Sequence, residues 1–207
     1  MIKTILDEFQ AKNTQQLELY KTIRSNIEFS SEDKKVIAFT SAVSDANKTV
    51  IAFNVACSFA DAGKRVIYIN ANNKNMEENA DNTQGEIIGL SDYLKGDNKM
   101  SEIVREGGIP NLLIISTGTG EYNPVEYMTD KKFHVMIEAF RDVMDYIIVD
   151  APALGDSADG AFVIKECEGL IYIITSRTVS YKTAQQVKKQ IERTGCPILG
   201  AVLNKDH

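Results

Sequence analysis

The chain has 207 residues, 43% hydrophobic and 25% charged, and 23 Lys and Arg against 29 Asp and Glu give it a net charge of -6. That length suits one large domain, 1–207, since no Pro/Gly/Ser-rich linker or repeat divides it, and the acidic balance argues against nucleic acid as a main partner. Cys57, Cys167 and Cys196 stand far apart without a Cys-x-x-Cys, a spacing that fits neither a zinc ribbon nor a disulfide framework, and no window approaches the roughly 18 apolar residues of a membrane span.

The first ten residues, "MIKTILDEFQ", turn polar quickly, and a helix is expected over about 14–28. In it a three-residue step sets Glu18, Lys21 and Arg24 in a slanted stripe, while Leu17, Tyr20, Ile23 and Ile27 face a core. Short apolar runs then alternate with helical periods: "KKVIAFTS", "RVIYIN", "NLLIIST", "DYIIVD", "GLIYIIT" and "PILGAVLN". They are rich in Ile and Val and mostly lack polar alternation, as strands buried on both faces do. Helices are predicted over Thr49 to Ala62, closed by Gly63, over Val125 to Met144, and over Ser180 to Arg193, capped by Ser180 and closed by Gly195. Repeated strand–helix–strand units predict an α/β fold, a doubly wound, mostly parallel sheet with helices on both faces and ligands at the carboxyl ends of the strands. "MEENADNTQGE" (76–86) reads as a mobile acidic loop at that end, and His134, inside a predicted helix without a second metal-type ligand, reads as structural.

The first strand-to-helix loop, "SAVSDANKTV", lies where a helix N-terminus would present free N–H groups and a positive dipole end to phosphate. The phosphate-loop pattern Gly-x-x-x-x-Gly-Lys-Ser/Thr needs glycine for close backbone approach, Lys for the β and γ phosphates, and a hydroxyl for magnesium. Lys48 and Thr49 are present, but the glycine positions hold Ala42 and Asn47. In "DYIIVDAP", Asp150 ends a strand where a carboxylate can hold magnesium through water. "RVIYINANNKN" ends a strand of the same kind at Asn70 and Asn72.

Taken together, "ELYKTIRSNIEFS", the run from "KKVIAFTS" through "YINAN", "GLSDYLKG", "NPVEYM", "DYIIVDAP" and "LGAVLN" resemble, in order, the cytoplasmic bacterial tyrosine kinases encoded with capsule and exopolysaccharide genes. Those kinases are relatives of the septum-site and chromosome-partition ATPases. The resemblance implies a P-loop domain that binds ATP and magnesium and transfers phosphate to tyrosine. It carries nucleotide contacts to Ser44, Asp45, Ala46, Asn47, Lys48, Thr49, Val50, Asn70, Asn72 and Asn204, magnesium to Thr49 and Asp150, and catalysis to Lys48 and Asp150. It also implies ring assembly through Glu18, Lys21 and Arg24, with Lys where the family has its first Arg, and docking to a membrane-spanning chain-length regulator or adaptor.

The departures fall on the chemistry. Where the family reads Pro-Gly-Glu-Gly-Lys-Ser/Thr, this chain has Ser44 for the Pro and Asp45 and Asn47 for the glycines; where it has Asp-x-Asp, this chain has Asn70 and Asn72. Asp and Asn tolerate left-handed backbone better than other non-glycine residues, so the loop can keep its shape. A carboxylate at 45 beside polyphosphate, however, costs a few kcal/mol at about 4 Å. Amides at 70 and 72 cannot act as carboxylate bases and are poorer magnesium partners. The eight tyrosines are scattered rather than clustered in a terminal tail. The expectation is a degenerate kinase-like protein, regulatory or scaffolding in polysaccharide export, cytoplasmic and recruited to the inner membrane face by a partner. An active kinase with an unusual site, or a partition-type ATPase switch, is the alternative.

Overall fold

The computed structural model describes residues 14–30, 33–44, 46–72, 88–118, 131–155, 159–176 and 179–204, with the backbone alone for 14–16 and 46. The predicted acidic loop 76–86 and the "NPVEYM" match at 123–128 lie outside these residues. In chain order the elements are α1 (Thr14–Ser30), β1 (Val36–Ser41), α2 (Ala46–Asp61), β2 (Val66–Asn70), α3 (Leu90–Lys95), α4 (Met100–Ile103), β3 (Val104–Glu106) and β4 (Leu112–Ile115), followed by α5 (Lys132–Arg141), β5 (Tyr146–Asp150), α6 (Asp159–Lys165), β6 (Gly169–Thr175), α7 (Tyr181–Thr194) and β7 (Ile198–Asn204).

The seven strands form one sheet in the order β3-β4-β2-β5-β1-β6-β7. Every pairing is parallel except β3 with β4. The central strands are buried throughout, which is why their Ile and Val runs lack alternation. Two apolar clusters sandwich the sheet. One gathers Ile69, Leu90, Phe133, Ile137, Val163 and Ile191; the other gathers Phe39, Phe53, Phe59 and Tyr68 with Ile27 of α1.

Several boundaries follow from local chemistry. Ser180 caps α7, its Oγ accepting from Thr183 N at 3.1 Å, and Gly195 ends that helix at φ 80°. Of the helix predicted over Val125 to Met144, residues 125–130 lie outside the described residues, and within 131–144 the helix covers Lys132–Arg141. Lys131 at φ 59° is not helical, so α5 starts at Lys132, and beyond Arg141 the N–H groups of Val143 and Met144 turn back to the Phe140 carbonyl on the way into β5. The antiparallel edge strand β3 is three residues long and half to fully exposed, too short and too polar to carry a period.

Candidate functional site

Three parallel strands bring the site together at their carboxyl ends. Asn70 of β2 pairs with Asp150 of β5, which pairs with Phe39 of β1. The chain leaves β1 at Ser41 and enters α2 at Ala46, so Lys48 and Thr49 lie in the first turn of α2, directly over Asp150.

Asp150 is the hub. It is fully buried, as is Lys48, and the two form an ion pair through Lys48 Nζ and Asp150 Oδ1. Lys48 Nζ also donates to the Ala151 carbonyl at 2.8 Å. Thr49 Oγ1 donates to Asp150 Oδ2 at 2.6 Å, and the Tyr68 hydroxyl reaches the same oxygen at 3.3 Å. Burial pushes the Tyr68 phenol well above its ordinary value of 10, and the charge and hydrogen-bond acceptance of Asp150 push it further. The basic and hydroxyl groups expected to meet phosphate and magnesium are thus turned inward onto the chain's own carboxylate.

At the end of β2, Asn70 and Asn72 are both buried. Asn70 Oδ1 accepts from the backbone N–H of Asn72 at 3.0 Å, a local turn that an Asp could also form. The Asn72 carbonyl oxygen Oδ1 is buried and has no hydrogen-bond donor among the described residues. Around the loop, Ser44 and Asn47 are exposed, Asp45 lies outside the described residues, and the Val50 carbonyl accepts from Asn54 Nδ2 at 2.7 Å. Asn204 ends β7, two strands from β1, where its carbonyl accepts from Ser176 N at 2.8 Å.

Two participants were not singled out from the sequence. Tyr68, two residues before Asn70, shares its face of β2, so the period of two was the available signal. The other is Gly155: a Cβ there would lie 1.9 Å from the Ala42 carbonyl oxygen. With Leu154 N donating to Ser41 O at 3.0 Å, the turn after β5 is fastened to the start of the phosphate-type loop.

The donor set suits a magnesium nucleotide in part. Thr49 and Asp150 are adjacent and could hold magnesium, the N-terminus of α2 and Lys48 could meet phosphate, and the orphaned Asn72 Oδ1 could accept from a metal-bound water. The amides at 70 and 72 supply no negative charge. No group of metal-ligating side chains occurs among the described residues.

The α1 stripe divides. Glu18 and Lys21 pair with each other at 2.8 Å and are exposed. Arg24 instead turns to the body of the fold, its Nη1 donating to the Ser58 carbonyl of α2 at 2.8 Å. Tyr20, Ile23 and Ile27 pack on the core. His134 of α5 is exposed and pairs with Glu166 at 2.8 Å. Among the described residues no helix is long and apolar enough to cross a membrane.

No family model matches the chain. A tyrosine-protein kinase CpsD of Streptococcus agalactiae is 32% identical over 197 residues, covering 95% of this chain and 84% of that protein. A CpsD of Streptococcus pneumoniae is 33% identical over 189 residues, covering 91% and 83%. Among solved structures, the chimerical protein CapA2B2 matches with a TM-score of 0.82 at 26% identity, covering 90% of this chain and 83% of that one. The kinase domain of the Escherichia coli tyrosine kinase ETK shares the fold, with a TM-score of 0.83 at 23% identity over 91% and 75%.

Proposed function

Since this chain belongs to the family of bacterial tyrosine-protein kinases that includes CpsD, we propose that it is a member with weak or absent phosphoryl transfer, a regulatory or scaffolding pseudokinase of capsular or exopolysaccharide biosynthesis and export. The observation that carries this reading is the charge at the strand ends. Where the family pattern puts three carboxylates, Asp150 remains and Asn70 and Asn72 are amides, and Asp150 is already neutralised by Lys48. The pocket is electrically balanced without a metal. Magnesium ATP, when bound, supplies a γ-phosphoryl group for transfer. To meet its phosphates Lys48 has to leave a buried carboxylate, and no carboxylate at 70 or 72 is available to orient or deprotonate a tyrosine.

The test is a calorimetric titration with ATP and magnesium, paired with an assay of phosphate transfer to tyrosine. Weak binding and transfer no greater than that of Lys48→Met are expected; robust transfer that Lys48→Met abolishes would overturn the reading. The combined reversions Asp45→Gly, Asn47→Gly, Asn70→Asp and Asn72→Asp should raise affinity. A second reading, an active kinase with an unusual site, is favoured by the presence of the motif residues Lys48, Thr49 and Asp150 together at the strand ends.

The same proposal includes self-association through the exposed part of α1 and docking to a membrane-spanning chain-length regulator or adaptor that brings the domain 1–207 to the inner membrane face. Glu18 and Lys21 are the residues to change, because Arg24 also anchors α1 to α2. Loss of oligomer mass by light scattering in Glu18→Ala/Lys21→Ala is expected, and an unchanged mass counts against the stripe.

A further inference from the structure

Beside the turn that follows β5, α6 and α7 flank an open groove of about 370 Å³. Its floor is apolar, made by Leu154, Ala161 and Phe162, and Lys165, Gln190 and Arg193 stand around it. On α7 the cations Lys182, Lys189 and Arg193 recur at i, i+7 and i+11, one stripe opposite the buried Val187 and Ile191. Among the described residues none of Lys165, Lys182, Lys189 and Arg193 has an acidic partner within ion-pair distance, whereas other cations of the fold do: Lys188 with Glu192, Arg141 with Glu138 and Glu168, Arg65 with Asp145.

The acidic groups nearest in sequence leave this excess standing. Glu192 is held by Lys188, Glu166 turns to His134 of α5 and does not line the groove, and Asp159 lies at the opposite end of α6 from Lys165. In a chain of net charge -6, a cationic rim around an apolar floor is a local inversion of sign, and such inversions steer and select partners of opposite charge.

We propose that the α6–α7 groove docks an acidic peptide segment of a partner protein, which inserts one large apolar side chain onto Leu154, Ala161 and Phe162 and sets its carboxylates against Lys165 and Arg193. The concavity decides between occupants. A recessed apolar floor accepts a protruding side chain, while a bilayer surface would need the apolar residues to project beyond the cations. The proposal stands whether or not the nucleotide site is active.

The probes are ten-residue peptides with a central Phe flanked by Glu, by Gln or by Lys, followed by fluorescence anisotropy at low and high salt. The Glu-flanked peptide is expected to bind at least about tenfold more tightly than the Gln-flanked one and to weaken as salt rises. Lys165→Glu/Arg193→Glu, two surface changes whose folding is checked by thermal melting, should abolish that binding. Ala161→Trp, which plugs the floor, should weaken it about tenfold or more. Equal binding of Glu- and Gln-flanked peptides, no binding of any, or binding that survives the charge reversal overturns the proposal. So does capture by phosphatidylglycerol vesicles that the same charge reversal abolishes while the peptides stay unbound, since that would make the patch a membrane face.

Discussion

Replacing Lys48 by Met is a stability experiment before it is a catalytic one. Lys48 and Asp150 are both fully buried and paired, and removing one partner of such a pair leaves an uncompensated charge, at about 3–5 kcal/mol. In Lys48→Met, Asp150 keeps the hydrogen bonds from Thr49 and Tyr68, which favours the lower end, about 3 kcal/mol. The Ala151 carbonyl loses its 2.8 Å donor as well, roughly another 1 kcal/mol. For a chain of this size each kcal/mol lowers Tm by about 2–4 °C, so a fall of roughly 8–16 °C is expected in a circular dichroism melt. Asp150→Asn, which strands Lys48 instead, should cost a comparable amount. The double variant Lys48→Met/Asp150→Asn should cost less than the two single changes added together, because it buries no lone charge. If Lys48→Met melts within about 1 °C of the parent, the pair does not hold in solution and the closed-site argument fails.

Restoring the family's carboxylates with Asn70→Asp/Asn72→Asp should lower Tm without divalent metal and make it rise steeply with magnesium. Adjacent strands lie about 4.8 Å apart, so a second carboxylate beside Asp150 costs roughly 3 kcal/mol at an effective dielectric near 20; equal magnesium responses in variant and parent would sink the idea. At alkaline pH, Tyr68 and Cys167 sit well above their ordinary values and Cys196 is pushed up to about 11, burial being the first cause in each. Their folded values exceed the unfolded ones, so this contribution is intact below about pH 9 and is lost as pH rises through and beyond the ordinary thiol and phenol range. Denaturant midpoints measured across that range should fall, and less steeply in Tyr68→Phe. Gly155→Ala drives a Cβ against the Ala42 carbonyl oxygen and should cost about 3 kcal/mol, at the upper end of overpacking, seen as a lower urea midpoint with an unchanged slope.

The sheet was legible because its strands are buried on both faces. Runs such as Val36–Ser41 and Val66–Asn70 admit no polar residue except at their ends, and the polar ends are where the site forms. The caps of α7 were legible because Ser180 and Gly195 do local work that neighbouring residues determine. What escaped depends on distant partners. The α5 boundary is set by a left-handed Lys131, a conformation that Lys has no intrinsic preference for, and Arg24 reads as part of a charged stripe until Ser58, 34 residues away, supplies a carbonyl within reach. Lys48, Thr49 and Asp150 could be named from their motif, but the direction in which Lys48 points follows from a contact across 102 residues.

That direction connects the two sets of departures at the site. With aspartates at 70 and 72 the strand ends would carry a surplus of negative charge that Lys48 alone could not balance, and a divalent cation would be the natural counter-charge. With amides there, the surplus is gone, and Lys48 with Asp150 makes a neutral pair that is closed by Thr49 and Tyr68. On the proposed reading, the amides weaken both the ligand set for a metal and the electrostatic demand for one. The glycine-free loop is a consistent partner to this change. On the same reading, a loop above a Lys48 already satisfied from below has less need to wrap a phosphate, which relaxes the constraint that reserves its positions for glycine. Gly155 keeps its glycine because its constraint is of another kind, the close approach to Ala42 that fastens the loop to the sheet. The fold thus retains glycine where backbone meets backbone and lacks it where backbone would meet nucleotide.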